Sequence, residues 1–341
     1  MQIDVILDTR AKARELAELG RLAERHGLDG VWVSSLLDSR DPFTNLALLA
    51  EGTRRIRLGP IAVNPWDTHP VKIASALLTL NELAAGRARL VVGGGGEALQ
   101  SLGIHPARRV RAVRECVAII RAAASGRRVD YAGELYRVAG LELRWLEAPP
   151  PAVLVGASQP QMLRMAAGCA DGVMLSDLPP GPAAAALATL DAALASQARQ
   201  RPAFGTTVFT AWHVYADRRR ALNEARRWLL LRGIFRDWLL AGFLDPAEVT
   251  LVMNSRAAFA KAFAAGDHRV EGIPDPVLDQ LAENVAIVGT PAALEPVVAR
   301  LHDLKAAGLG GVALRLYADP AASIRLLGKR VLPALAATPA G

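Results

Sequence analysis

Residues 56–70, Ile-Arg-Leu-Gly-Pro-Ile-Ala-Val-Asn-Pro-Trp-Asp-Thr-His-Pro, and residues 86–96, Gly-Arg-Ala-Arg-Leu-Val-Val-Gly-Gly-Gly-Gly, each predict a strand that stops abruptly. Residues 73–83 lie between them and have apolar side chains at helical spacing. In a closed parallel barrel the carboxyl ends of the strands form one rim, where active sites lie. We therefore expect the Asn-Pro break and the tetraglycine to face the same pocket. Residues without side-chain bulk there would let a flat ring approach the main chain.

Eight strand-like runs alternate with helical segments along the chain. They are residues 3–7, 30–33, 56–63, 88–92, 152–155, 172–175, 206–214 and 311–317. This alternation predicts an α/β fold, a (β/α)8 TIM barrel, with residues 1–341 forming a single domain. Two stretches exceed a minimal barrel: a hairpin-like insertion at 125–151 and a helical insertion at 221–281, before the last strand.

Composition excludes several classes of protein. The chain has 341 residues, 52% of them hydrophobic, and a net charge of +7 that is spread over helical segments. We expect no nucleic-acid binding, because no basic stripe with aromatic residues is present. No apolar run approaches the ~18 residues that span a bilayer, so we expect a cytoplasmic protein without membrane contact. Cys116 and Cys169 lack metal-ligand spacing, so we expect no metal site.

Several segments follow one another in an order typical of a known family. They are residues 40–43 (Arg-Asp-Pro-Phe), 59–70, 80–87 (Leu-Asn-Glu-Leu-Ala-Ala-Gly-Arg), 91–96, 156–163 (Gly-Ala-Ser-Gln-Pro-Gln-Met-Leu), 170–173 and 288–291. Together they resemble the luciferase-like monooxygenase superfamily. The most similar branch uses the 5-deazaflavin coenzyme F420 and is typified by methylenetetrahydromethanopterin reductase. The resemblance covers nearly the whole chain apart from 221–281.

The resemblance implies a barrel that holds a flavin or deazaflavin over its strand ends, commonly as a homodimer or a higher homo-oligomer. It also implies a non-prolyl cis peptide at the end of the third strand, which we place between Ala62 and Val63. Asn64 and Pro65 would fix the turn that follows. The alternative is an ordinary strand end stopped by a proline.

Two carboxylates are candidates for catalysis. Glu97 follows the tetraglycine at once, where the resembling reductases hold an acid near the ring, and it could manage a proton there. Its alternative role is to favour a helix N-terminus. Asp4 lies in an otherwise apolar strand, so we expect its carboxylate to point into the barrel mouth, and the resemblance places an acid involved in proton transfer there. The alternative is a salt bridge with an arginine inside the barrel.

The cofactor phosphate is predicted to lie where the fifth strand gives way to a helix. Gly156, Ala157, Ser158 and Gln159 would offer backbone N–H groups and a hydroxyl, and either the phosphodiester of F420 or the phosphate of FMN would fit. The alternative is a helix-capping serine without a ligand. The same resemblance adds three further cofactor contacts, Gly95, Met162 and Val173.

These observations predict an F420-dependent oxidoreductase that transfers a hydride between the deazaflavin and a small organic substrate, pterin- or folate-like. The alternatives are an FMN-dependent luciferase-like monooxygenase, a reductase that takes its hydride from a nicotinamide, and a cofactor-poor, non-catalytic relative. Many family members carry an Asp-His pair after the second strand, whereas this chain has Ser35-Leu36. The base of the family's sugar-phosphate dehydrogenases is thus absent, which argues against a sugar substrate.

Overall fold

A computed structural model describes residues 1–337, apart from the side chain of Glu97. The described residues form eleven strands, numbered in chain order. They are β1 (Gln2–Leu7), β2 (Gly30–Ser34), β3 (Arg57–Ile61), β4 (Arg89–Val92), β5 (Val129–Ala132), β6 (Arg137–Leu141), β7 (Ala152–Gly156), β8 (Gly172–Ser176), β9 (Gly205–Val214), β10 (Ala286–Gly289) and β11 (Gly311–Leu316).

Fourteen α-helices connect the strands within the described residues. They are α1 (Ala13–Arg25), α2 (Pro42–Gly52), α3 (Pro70–Leu83), α4 (Arg109–Ala123), α5 (Pro160–Cys169), α6 (Pro180–Ser196), α7 (Arg218–Arg227), α8 (Asp237–Leu240), α9 (Pro246–Asn254), α10 (Arg256–Ala265), α11 (Asp275–Val285), α12 (Glu295–Ala306), α13 (Pro320–Leu326) and α14 (Leu332–Ala336). Shorter 3-10 helices span Glu97–Leu102, Arg201–Ala203 and Leu229–Arg232, and a π-helical turn spans Leu327–Val331. None of the helices described is both long enough and apolar enough to cross a bilayer.

The helices begin at residues that suit a helix N-terminus. The carboxylates of Asp41 and Asp217 accept hydrogen bonds from backbone N–H groups in the first turns of α2 and α7, at 2.7 Å in each case. Many of the helices carry proline in the first turn, where the missing N–H costs no intrahelical bond. The helix boundaries therefore follow from local sequence chemistry.

The eight strands predicted from the sequence form one parallel sheet in the order β3-β2-β1-β11-β9-β8-β7-β4. Single bridges between Leu58 and Ala88 and between Val63 and Val92 join the outer strands β3 and β4, so the sheet closes into a barrel. The predicted (β/α)8 TIM barrel, with a helical insertion before the last strand, is confirmed. The short strand β10 pairs with the C-terminal part of β9.

Both predicted insertions contain regular structure. Strands β5 and β6 form an antiparallel hairpin within 125–151, and helices α7 to α11 occupy residues 218–285. The hairpin is tied to α4, because the carboxylate of Glu115 accepts hydrogen bonds from the backbone N–H groups of Glu134, Leu135 and Tyr136, at 3.0 Å each. The hairpin is thereby held against the barrel.

The barrel interior is filled with side chains. One buried cluster lies inside the strands, and its members are Ile6, Trp32, Ile61, Val91, Leu154, Met174 and Ala313. A much larger cluster lies between the strands and the helices. Because the described interior is packed, a ligand of the barrel has its place above this cluster, at the carboxyl ends of the strands.

Candidate functional site

A cavity of about 600 Å³ opens at the rim of the barrel, beside the carboxyl ends of β2, β3 and β4. Its lining consists of Ser35, Leu36, Leu37, Asp38, Ala62, Asn64, Asp67, Gly93, Gly94, Gly95, Gly96, Ala98, Leu99 and Ser101. This volume is in the range of pockets that hold cofactors and other small molecules. As predicted, the strand end before Pro65, through Asn64, and the tetraglycine line the same cavity.

The wall between β3 and β4 is built from main chain. The peptide between Ile61 and Ala62 is cis, so the cis bond lies one residue before the predicted position. Strand β3 ends at Ile61, and the irregular peptide is the first one after the strand. The N–H of Val63 donates to the Val91 carbonyl at 3.0 Å, and the N–H of Gly93 donates to the Val63 carbonyl at 2.8 Å. The two strand ends are thus locked together.

Glycine is needed along this wall. A Cβ placed on Gly93 would lie 3.1 Å from the Cβ of Ala62. Gly95 has φ of +78°, and a Cβ there would lie 2.6 Å from Leu99 Cδ1. Both positions therefore keep side-chain bulk out of the wall, and Gly95 also has the left-handed backbone that glycine adopts without strain. A wall without bulky side chains leaves room for the face of a planar ring against the main chain.

Asn64 shapes the turn that follows β3. Its Oδ1 accepts hydrogen bonds from the N–H groups of Trp66 at 3.0 Å and Asp67 at 3.2 Å. Its Nδ2 donates to the Asp67 carboxylate at 2.7 Å. These bonds hold the residues that border the cavity, and such turns are typical of asparagine.

The predicted phosphate segment lies at the next strand end. The Oγ of Ser158 accepts a hydrogen bond from the N–H of Ser176 at 3.1 Å. Gln159 is the residue that precedes α5, and neither its side chain nor the Ser158 hydroxyl caps the helix. The alternative of a helix-capping serine is therefore wrong, because Ser158 bonds to the end of β8 instead. Gly156 and Ser158 are half-buried, at the rim.

Met162 lies between this segment and the tetraglycine, whereas three other residues predicted to contact the cofactor have buried side chains. A Cβ on Gly94 would lie 3.6 Å from Met162 Cε, so these two residues are neighbours. Val63, Ala157 and Val173 are buried in the cluster between strands and helices. Their side chains are therefore turned away from the cavity, and the predicted contacts of these three residues with a cofactor would have to come from the main chain.

The two carboxylates predicted to be catalytic, Glu97 and Asp4, lie in different parts of the barrel. Glu97 begins the 3-10 helix after Gly96, and its side chain lies outside the described structure. Asp4 lies below the mouth, beside the first residue of β2. Its Oδ2 accepts hydrogen bonds from Arg89 Nη2 at 2.6 Å and from Trp32 Nε1 at 2.9 Å.

The prediction that Asp4 points into the mouth is therefore wrong, and the alternative of a buried salt bridge is what the structure has. The Arg89 guanidinium lies 4.0 Å from the centre of the Trp32 ring. Burial lowers the pKa of Arg89, which Asp4 partly offsets. A side chain on Gly30 would collide with this guanidinium, which explains the glycine at the start of β2.

A group of polar side chains that the sequence analysis missed lies at the ends of β8, β9 and β11. We call Asp177, His213, Arg232, Arg315 and Tyr317 the mouth cluster. Arg232 donates to Asp177 at 3.2 Å, and the rings of His213 and Tyr317 stack at 4.9 Å. Arg315 donates to Ser34 Oγ at 2.6 Å and to the Leu7 carbonyl at 3.0 Å. The cluster therefore connects strands on both sides of β1.

Burial dominates the electrostatics of the mouth cluster. It raises the pKa of Asp177 to about 6, although Arg232 acts in the opposite direction. It lowers the pKa of His213 to about 3, so the imidazole is neutral near pH 7. Among the described residues, His213 Nε2 and Arg232 Nε are buried without a hydrogen-bond partner. Such atoms are costly unless a polar ligand or water meets them.

Part of this cluster could have been found from the sequence. Active-site residues are expected at the carboxyl ends of barrel strands, as used above for β3 and β4. The same expectation indicates Asp177 and Tyr317, which follow β8 and β11. Arg232 carries no such signal, because it enters from the helical insertion.

A closed parallel barrel with a main-chain wall at its rim defines an enzyme that binds its ligand over the strand ends. The sequence model of the luciferase-like monooxygenase family matches residues 1–310. The 5,10-methylenetetrahydromethanopterin reductase of Archaeoglobus fulgidus is 33% identical over 335 residues, which cover 95% of this chain and 96% of that protein. The F420-dependent glucose-6-phosphate dehydrogenase of Nakamurella multipartita is 29% identical over 254 residues, or 69% of this chain and 73% of that protein.

Among solved structures, the coenzyme F420 dependent tetrahydromethanopterin reductase from Methanopyrus kandleri matches with a TM-score of 0.82 at 22% identity, over 97% of this chain and 98% of that chain. At this identity the match supports the fold alone. This chain belongs to the luciferase-like monooxygenase family, and it is an oxidoreductase. The resemblance drawn from the sequence is confirmed.

Proposed function

We propose that this protein is an F420-dependent oxidoreductase that transfers a hydride between the deazaflavin and a small, pterin- or folate-like organic substrate. The observation that carries the proposal is the main-chain wall of the 600 Å³ cavity, where Ala62 and the tetraglycine place no bulky side chain at the strand ends. Relatives named for F420 or for methylenetetrahydromethanopterin reduction support the choice of cofactor and of substrate class.

The residues around the cavity fit this cofactor. Ala62, Gly93 and Gly94 would face the ring, while Asn64 holds the turn beside it. Gly156, Ser158 and Gln159 would hold the phosphodiester at the start of α5, because N–H groups in the first turn of a helix have no intrahelical partner. When bound, the deazaflavin supplies a two-electron hydride carrier.

The chain's own residues would manage the substrate and the proton. We assign the proton to Glu97, because Gly96 directly before it lines the cavity. We assign no proton transfer to Asp4, because its carboxylate is hydrogen-bonded to Arg89 and Trp32. The mouth cluster would orient the substrate, because His213 Nε2 and Arg232 Nε can serve a polar heterocycle. The filled barrel interior excludes water from below.

Separate titrations with F420, FMN and NADPH, followed by fluorescence, test the proposal. We expect F420 to bind more tightly than about 100 μM, which corresponds to roughly 5.5 kcal/mol, and the other two to bind more weakly. Hydride transfer would then be measured by mixing oxidised F420 with a reduced pterin substrate and recording the absorbance of F420. Tight FMN binding without F420 binding would favour the monooxygenase, and binding of none of the three would favour a non-catalytic relative.

The oligomeric state stays a prediction. We expect a homodimer or a larger homo-oligomer, and Trp145 and Trp238 are exposed hydrophobic residues that such an interface could cover. Sedimentation velocity at several protein concentrations measures it directly, and a single monomeric species at all of them would contradict this expectation.

A further inference from the structure

A second cavity, of about 1260 Å³, lies between the start of α4 and the first turns of α5. Five arginines line it, and we call it the arginine groove: Arg108, Arg109, Arg111, Arg114 and Arg164. It lies on the outside of the barrel and has no part in the hydride transfer proposed above. Its concentration of guanidinium groups indicates an anionic ligand.

The positive charge of the arginine groove is poorly neutralised by the protein. Glu134 is the only described carboxylate in its lining, and it pairs with Arg108 at 3.2 Å and Arg111 at 2.9 Å. Arg109, Arg114 and Arg164 have no ion pair with any of the side chains that the structure describes. Guanidinium groups held near one another repel, and an anion placed among them relieves that repulsion.

The arginine groove begins where the cofactor cavity ends. Gly94 lines the cofactor cavity, and a Cβ placed on it would lie 3.5 Å from the Cβ of Arg109. On the other side, Gln161 and Arg164 line the groove from α5, directly after the segment proposed to hold the phosphodiester. The arginine groove therefore borders the proposed phosphodiester segment, because its lining on α5 starts at Gln161, two residues after Gln159.

We propose that the arginine groove binds the oligoglutamyl tail of coenzyme F420, an inference that rests on the proposed function. Beyond its phosphodiester, this coenzyme continues into a lactyl-glutamyl chain with a carboxylate on every glutamyl unit. Arginine pairs with carboxylates through two parallel hydrogen bonds, so a row of arginines matches a row of carboxylates. FMN ends at its phosphate and offers nothing to this groove. The groove therefore selects the deazaflavin coenzyme through its tail as well as its ring.

Binding of two forms of the coenzyme tests this inference. One form carries several glutamyl units, and the other ends at the lactyl group. Arg114 and Arg164 are exposed, so the double variant R114Q/R164Q is expected to fold. Fluorescence anisotropy at low salt should show the variant binding the long form roughly tenfold more weakly, and the truncated form unchanged. Added salt should weaken binding of the long form to the wild type more than to the variant.

A matched control removes the same charge elsewhere. The variant R14Q/R127Q changes two exposed arginines outside the arginine groove and should bind both forms as the wild type does. The inference is overturned if the groove variant binds the long form normally, or if it loses affinity for both forms equally. If neither form binds the wild type, the proposed function itself fails. Binding of both forms with no groove effect would leave the proposed function standing.

Discussion

The hydroxyl of Tyr136 donates a 2.7 Å hydrogen bond to the carbonyl of Pro65. Tyr136 belongs to the turn of the β5–β6 hairpin, and Pro65 follows the residue that shapes the cavity edge. Glu115 in turn holds the hairpin to α4 through three backbone N–H groups. The hairpin thus helps to hold the wall between β3 and β4 in place.

Removal of this hydroxyl should loosen the wall. Burial raises the pKa of Tyr136 to about 12, so the group remains a donor over the working pH range. We expect Tyr136→Phe to lower the free energy of unfolding by about 1 kcal/mol and to weaken F420 binding several-fold. Tyr131→Phe, on the same hairpin, is the control for binding titrations and urea unfolding. Equal affinity in the Tyr136 variant and the wild type would show that the hairpin does not support the wall.

The tetraglycine offers an internal comparison of two glycines. Gly95 has a left-handed backbone and no room for a Cβ, whereas a Cβ on Gly96 would meet no atom within 4 Å. We expect Gly95→Ala to lower the free energy of unfolding by about 1 kcal/mol or more, and Gly96→Ala to change it little. Thermal unfolding of both variants measures this difference. Similar losses in the two would contradict the role given to the Gly95 backbone.

Glu97 is proposed to manage a proton, so its loss should affect the rate alone. We expect Glu97→Gln to lower kcat by about 100-fold while the Kd of F420 stays within a factor of two. Stopped-flow absorbance gives the rate, and anisotropy gives the affinity. An unaltered rate would remove Glu97 from the mechanism.

Ser158 is proposed to lie beside the phosphodiester of the cofactor. A second negative charge there should repel the ligand, so Ser158→Asp should weaken F420 binding by about tenfold or more. The deazaflavin that lacks the phosphate should bind this variant as it binds the wild type. Equal losses for both ligands would indicate a damaged site in place of charge repulsion.

Asp177 should make stability depend on pH. Burial raises its pKa from 3.8 to about 6, so between these values the native state binds more protons than the unfolded chain. The free energy of unfolding should therefore fall as the pH rises through this window, by up to about 3 kcal/mol. Asp177→Asn should abolish that part of the slope, and above pH 6 it also leaves the buried Arg232 without its charged partner. Urea unfolding between pH 4 and 7 tests this, and an unchanged slope in the variant would contradict it.

The sequence predicts the barrel well, because each strand and helix carries its own local pattern and the strand ends of β3 and β4 mark the rim. The sequence predicts less well how deep a strand side chain lies in the barrel and which way it points. Whether Asp4 lies at the mouth or below it depends on the register between β1 and its neighbours, which is a non-local property. The exact place of the cis peptide is also not written in the local sequence, because it lies between Ile61 and Ala62 and the resemblance placed it one residue later.

The site is least predictable where distant parts of the chain meet. Arg232 reaches Asp177 from the helical insertion, and the two are 55 residues apart in sequence. Arg89, which forms the buried ion pair with Asp4, is 85 residues away from it in sequence. Neither pairing has a local signal, so only the folded chain brings these charges together.

The side chains that fill the centre of the barrel, with Trp32 and Met174 among them, close the described interior to ligands from below, so coenzyme and substrate would both enter at the carboxyl ends of the strands. Under the proposed function the coenzyme lies against the main-chain wall and the substrate would lie on its exposed face, so the coenzyme has to bind first. We therefore expect an ordered kinetic sequence in which the coenzyme enters ahead of the substrate and departs only after the product has gone.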